Sequence, residues 1–168
     1  MHDGMGARRA SIRETFNFLR DNKESAMSSS ATSNTATPND IESKPYVIVD
    51  HKTPTYVPFD APKAGGIGGV SRFGEIAVLR ERSYNGNVLV VGFWQVQPDV
   101  SPLYDVPLGD ESGFVIEGSA TIEFIKSGEK VELRAGQMYT LTKGTLTRWT
   151  IHTPFKKFVV VNDGPAAA

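Results

Sequence analysis

The sequence predicts an all-β domain of short antiparallel strands, closed as a sandwich or barrel and preceded by an N-terminal extension. Three observations predict it. From about residue 45 the apolar residues fall in short runs with period-two alternation. Turn signals built on Gly, Pro and Asn-Gly separate these runs at close spacing. No stretch among them carries a convincing helical period, which favours a β architecture over an α/β one. A barrel of about eight such strands can enclose one small ligand.

The elements follow in order. Residues 1–44 form the extension. Within it, residues 11–20 carry a short helix signal, because Ser11 and Glu14 make an S-x-x-E capping box and Ile12, Phe16 and Leu19 recur at helical spacing. A helix this short is marginal unless it docks on something. Residues 25–40, SAMSSSATSNTATPND, are small and polar and cannot bury enough surface to offset chain entropy, so a disordered linker is expected. Met27 stands at its start, which is compatible with translation beginning there. The β domain spans residues 45–164 and opens with YVIVD at residues 46–50 as a first strand.

Residues 75–82 and 88–96 flank Asn85-Gly86, a pair that tolerates the positive φ of a type I′ turn, and are expected to pair as a hairpin. GFVIEG leads through Gly118-Ser119 into ATIEFIK, and Ser127-Gly128 turns into VELR, where Val131 and Leu133 alternate with Glu132 and Arg134. QMYTLT, LTRWTIH and FKKFVVV complete the series, with Gly136, Lys143-Gly144 and Pro154 as breaks.

Composition excludes several function classes. The 168 residues carry a net charge of -1 with 22% charged residues, so no basic surplus exists to neutralise nucleic acid or an anionic membrane. Cysteine is absent, which removes disulfides, thiolate metal sites and cysteine nucleophiles together. The longest apolar run, residues 88–94, is strand length and far short of a membrane helix. The first residues hold several Arg but no apolar signal core, and Asp3 and Glu14 weaken a transit-peptide reading, so a soluble, cytoplasmic protein is expected.

The stretch SPLYDVPLGDESGFVIEG at residues 101–118 carries the chemistry. Its Glu111 is followed by six residues and Gly118; Gly136 opens a second such segment and Gly144 follows in it; Gly92-Phe93-Trp94 precedes the first and Trp149 lies five residues after Gly144. In this order and spacing residues 45–162 resemble the cupin family of jelly-roll barrels. The likeness is nearest to the subgroup of ureidoglycine aminohydrolase and the ethanolamine-utilisation cupins. The resemblance implies a cupin-type double-stranded β-helix and a homodimer. Residues 45–60, where Pro45, Pro54 and Pro58 limit regular edge pairing, are candidates for the dimer contact.

The departures from the family pattern shift the expected chemistry. Metal-binding cupins place two histidines before the glutamate and a third in the second motif; here those positions hold Tyr104, Val106 and Thr147, and Thr142 stands where proline is usual. Val106 has no donor atom, and one carboxylate with hydroxyls is a poor transition-metal site. Of the three histidines, His2 lies in the extension, His51 follows the first run, and His152 falls on the opposite strand face from Thr147, Trp149 and Ile151. The reading is therefore no metal and no cofactor.

Alternation aims Tyr104, Val106, Glu111, Thr147 and Trp149, with Trp94, into an apolar pocket for a small molecule. Glu111 and Tyr104 are the candidate catalytic pair, with Trp94, Val106, Thr147 and Trp149 as substrate-binding residues. Enclosure by aromatic walls is expected to raise the Glu111 pKa toward the range useful for acid/base work. The expected activity is metal-independent isomerisation, elimination or cyclisation. The alternatives are a binding or sensing module and a metal-dependent hydrolase or oxygenase.

Blander readings stand beside these. Glu111 can simply accept hydrogen bonds from Tyr104 or from backbone N–H groups, since buried polar groups are normally paired, and the two tryptophans can be core aromatics. GGIGG at residues 65–69 lacks a full phosphate-binding fingerprint and reads as a loop near the barrel mouth. Arg8-Arg9-Ala10-Ser11 resembles a basic-directed kinase site, and Lys156-Lys157 reads as a solvated strand face.

Overall fold

Alternation along the chain builds two antiparallel sheets whose apolar faces meet. The computed structural model describes residues 46–62, 64 and 70–163. The helix signal at 11–20, the linker at 25–40, the basic Ser11 segment and GGIGG lie outside the described residues. Nine strands occur among the described residues: β1 (Val57–Pro62), β2 (Val70–Arg82), β3 (Val88–Val96), β4 (Asp110–Glu117), β5 (Ser119–Phe124), β6 (Lys130–Arg134), β7 (Met138–Leu141), β8 (Thr147–Ile151) and β9 (Phe155–Asn162). A six-stranded sheet runs β1-β2-β3-β9-β4-β7 and a three-stranded sheet runs β6-β5-β8. The fold is all-β, as the sequence predicts.

Strands that alternate in sequence also alternate in burial. On β9, Phe155, Lys157, Val159 and Val161 face inward while Lys156, Phe158 and Val160 are less buried; on β4, Glu111, Gly113 and Val115 face inward. On β8, Thr147, Trp149 and Ile151 are buried between the more exposed Arg148 and Thr150. Ile76, Trp94, Val115, Ile122, Leu133, Trp149, Ile151 and Phe155 form the main core between the sheets. Val90, Val159 and Val161 form a second cluster on the six-stranded sheet. At roughly 25 cal/mol per Å² of apolar surface, this sheet-on-sheet burial is the principal source of stability in a chain without disulfides.

Two local expectations require correction. Residues 46–50 form no strand; Ile48 is 87% exposed, and the Asp50 carboxylate instead accepts from Lys52 N at 2.9 Å in a turn. A β-prone run becomes a strand only when a neighbour completes its ladder, and residues 46–50 pair with no described strand. Pro58 sits on β1, the outermost strand, where a missing N–H is tolerated. The hairpin β2–β3 forms as expected, but its turn is not type I′. Only Gly86 takes positive φ, at 82°, with Gly86 N donating to Ser83 O and Ser83 N to Asn87 O. This is the longer connection in which a turn is followed by a left-handed glycine.

Candidate active site

The site is built on β4, β7 and β9, where neighbouring strands bring inward residues together. Gly113 is central. It pairs with Val159 on β9 and with Tyr139 on β7, and it lies between Glu111 and Val115 on the inward face of β4. A Cβ there would overlap the Tyr139 ring, so the absent side chain is what lets that ring lie across the strand. Lys157, opposite both Trp94 and Val115, extends through the same space toward Glu111.

The result is a buried polar cluster. Glu111 Oε1 accepts from Lys157 Nζ at 2.7 Å and from the Tyr139 hydroxyl at 2.7 Å. Glu111 Oε2 accepts from the Tyr104 hydroxyl at 3.1 Å, and Lys157 Nζ also donates to the Tyr139 oxygen at 2.6 Å. The side chains of Lys157 and Glu111 are 10% and 4% exposed. The ammonium lies over the faces of Trp149, Trp94 and Tyr139, at 4.6, 5.0 and 5.3 Å from the ring centroids, where the ring quadrupoles attract it.

Electrostatics run opposite to the sequence expectation for Glu111. Burial pushes its carboxyl upward, but the Lys157 charge and hydrogen bond, with those of Tyr139 and Tyr104, outweigh burial and hold it below its ordinary value. The expected upward shift is therefore corrected, because the sequence reading omitted the cation. Tyr104 and Tyr139 are both pushed well above an ordinary phenol, first by burial and then by the Glu111 charge. At neutral pH the cluster holds a carboxylate and two protonated phenols around Lys157 Nζ.

The cluster forms one wall of a cavity of about 80 Å³. Since a single water requires roughly 10–15 Å³ on this kind of measure, the space suits several waters or a small organic molecule. Most of its lining is apolar, from Phe59, Phe73, Ile76, Val78, Val90 and Leu108 among others; Tyr104, Glu111, Lys157 and Ser101 supply the polar groups.

Of the sequence-predicted site residues, Glu111, Tyr104, Trp94 and Trp149 come together on this cavity. Both tryptophans also belong to the core, and Trp94 donates its indole N–H to Phe73 O at 3.2 Å. Val106 and Thr147 are fully buried and do not line the cavity. Thr147 pairs with Tyr104 through the backbone, and its hydroxyl donates to the Tyr104 carbonyl at 3.1 Å. Val106 takes φ +48°, a left-handed conformation costly for a β-branched residue, at the bend between Tyr104 and β4. Both residues hold Tyr104 in place. His152 points away, as alternation predicts, and its Nε2 lies 2.7 Å from Thr121 Oγ1.

Lys157 and Tyr139 are the residues that sequence reasoning missed. Lys157 is buried, so its reading as a solvated face is corrected. The signal was available, since in FKKFVVV the same period-two face carries Phe155, Lys157, Val159 and Val161.

A metal does not fit these residues. Val106 offers no donor, the Thr147 hydroxyl is turned to a backbone carbonyl, and an ammonium already stands 2.7 Å from the one carboxylate. Among the described residues no group of three or more His, Asp or Glu could hold an ion.

Two antiparallel sheets packed around a buried glutamate make a jelly-roll type of architecture. Residues 85–158 match the model of the EutQ-like cupin domain, and over this stretch the chain is similar to that family. No curated protein matches the sequence.

Similar solved structures include a putative ethanolamine utilization protein Q from Salmonella typhimurium. It is 18% identical, covers 66% of this chain and 97% of its own, and has a TM-score of 0.46. The Clostridium difficile EutQ protein is 16% identical over 53% of this chain and 68% of its own, with a TM-score of 0.43. An uncharacterized double-stranded β-helix protein from Klebsiella pneumoniae is 24% identical over 56% and 81%, with a TM-score of 0.46. Among the described residues no helix is long and apolar enough to cross a membrane.

Proposed function

We propose that this protein binds a small organic molecule in the barrel cavity and moves a proton on it without a metal, in an isomerase, lyase or cyclase type of reaction. The observation that carries the reading is the asymmetry of Glu111. Oε1 is saturated by Lys157 and Tyr139, whereas Oε2 accepts only from Tyr104 and keeps a lone pair for a ligand.

In this reading Glu111 is the base. Its lowered pKa keeps it in the carboxylate form a base requires, at modest strength. Tyr104, held protonated, has one O–H, which Oε2 accepts in this structure; it turns to the ligand oxygen on which charge develops once the ligand's own donor takes that place on Oε2. Lys157 and Tyr139 do not take the proton; they fix the carboxylate and keep Oε2 on the cavity side.

The test is solvent exchange. The purified protein, treated with a chelator, is incubated in D2O with a small-metabolite extract, and deuterium incorporation is followed by mass spectrometry. The expected result is a metabolite labelled by the native protein and not by Glu111→Gln, with Tyr104→Phe slowed by about 10²-fold or more, the typical worth of a general acid or base. A labelled metabolite with both variants unaffected overturns the reading. A molecule retained by the protein but never labelled supports a binding module instead, the second reading, which the complete pairing of Oε1 favours.

A further inference from the structure

The ionisable side chains on the cavity have an unusual balance that bears on what the cavity accepts. The charged residues of the lining are Glu111 and Lys157, one of each sign, and they are spent on each other at 2.7 Å. What the ammonium lacks in hydrogen-bond partners it finds in the faces of Trp149 and Trp94. Ser101, the other polar residue besides Tyr104, is also committed, because its hydroxyl donates to Pro102 O at 2.7 Å and accepts from Trp149 N at 2.8 Å. The remaining polar capacity is acceptor capacity, on Glu111 Oε2 and the Tyr104 oxygen.

We infer that the ligand is a neutral, mainly apolar molecule carrying one hydroxyl or other hydrogen-bond donor, which it presents to Glu111 Oε2 and Tyr104. This rests on the reading that the cavity binds a small molecule and adds the class of that molecule. The physical reason is charge balance. An anionic or cationic head facing the cluster finds its counter-charge already neutralised at close range, and a buried charge without a partner is costly. If the charged head turns to the mouth instead, the apolar body is pressed against the Glu111–Lys157 pair and the spare acceptors go unpaired. Either way the charged molecule loses against a neutral donor of the same shape.

Three probes of one shape test this: benzyl alcohol, benzoate and benzylamine, titrated into the full-length native protein and followed by NMR shifts of the two tryptophan indole N–H groups. The alcohol is expected to bind at least tenfold more tightly than either ion. Ala61→Trp, which fills the cavity from its apolar wall, is expected to abolish the alcohol's effect on the Trp94 and Trp149 signals.

Glu111→Gln supplies an independent arm. It leaves Lys157 without its counter-charge, and benzoate is expected to gain at least tenfold while benzylamine does not. If Glu111→Gln fails to fold, the three titrations of the native protein still decide. Benzoate or benzylamine binding the native protein as tightly as the alcohol overturns the inference and leaves the cavity reading standing. No probe perturbing either indole, or an alcohol effect that persists in Ala61→Trp, overturns the cavity reading itself and the inference with it.

Discussion

Lys157 Nζ and Glu111 Oε1 lie 2.7 Å apart in the middle of the barrel, with both side chains nearly excluded from solvent. Neither residue tolerates the loss of the other, because a buried charge left alone is far more costly than the pair is favourable. Glu111→Gln and Lys157→Met are each expected to destabilise the fold by about 3–5 kcal/mol, read from urea unfolding. The double variant Glu111→Leu, Lys157→Met should be less destabilised than the sum of the two single changes, since it removes both charges. Strict additivity would show that the pair is not coupled.

Acid and alkali should each weaken the protein, for different reasons. Glu111 has a folded pKa below its unfolded value, so its contribution is present above the ordinary carboxylate value, about 4, and is lost as pH falls through the folded value. Protonation there leaves the Lys157 ammonium unpaired. Tyr104 and Tyr139 have folded pKa values raised well above the ordinary phenol value, about 10. Their contribution is present in full below that value and lost as pH rises toward the folded ones. Urea midpoints across pH should form a plateau that falls at both ends. In Glu111→Gln the acid limb should be shallower; an unchanged acid limb would refute the assignment to Glu111.

Gly113 and Tyr139 face each other across β4 and β7, and a Cβ at Gly113 would overlap the ring. Gly113→Ala is expected to cost about 1–3 kcal/mol as an overpacking change. The cost should shrink in a Tyr139→Leu background, where no ring covers the glycine. A double-mutant cycle by chemical denaturation measures this coupling, and a coupling near zero would mean the ring is free to move aside.

Ser101 ties the segment carrying Tyr104 to β8, through Trp149 N on its hydroxyl and Ser101 N on Trp149 O, both at 2.8 Å. Ser101→Ala strands a buried backbone N–H and is expected to cost about 1–3 kcal/mol. Because that segment positions Tyr104, tryptophan fluorescence should change along with the urea midpoint. A Gly at the same position should behave no better, since the missing group is the hydroxyl.

Much of this protein is legible in order and spacing alone. Asn85-Gly86 marks the β2–β3 hairpin, the run from Glu111 to Gly118 marks the strand that carries the site, and period-two burial on β8 turns His152 outward. These are local consequences of backbone geometry, for which strand alternation and glycine φ are enough.

What tertiary structure alone decided is the company Glu111 keeps. Lys157 lies 46 residues away and Tyr139 28 residues away, on strands that become neighbours only through the order β9-β4-β7. Burial by itself would raise the Glu111 pKa, as the aromatic surroundings in the sequence suggest; the ammonium brought beside it reverses the sign. Charge interactions depend on distance in space, which sequence separation does not fix, so the barrel could be read from the chain and the state of its carboxylate could not.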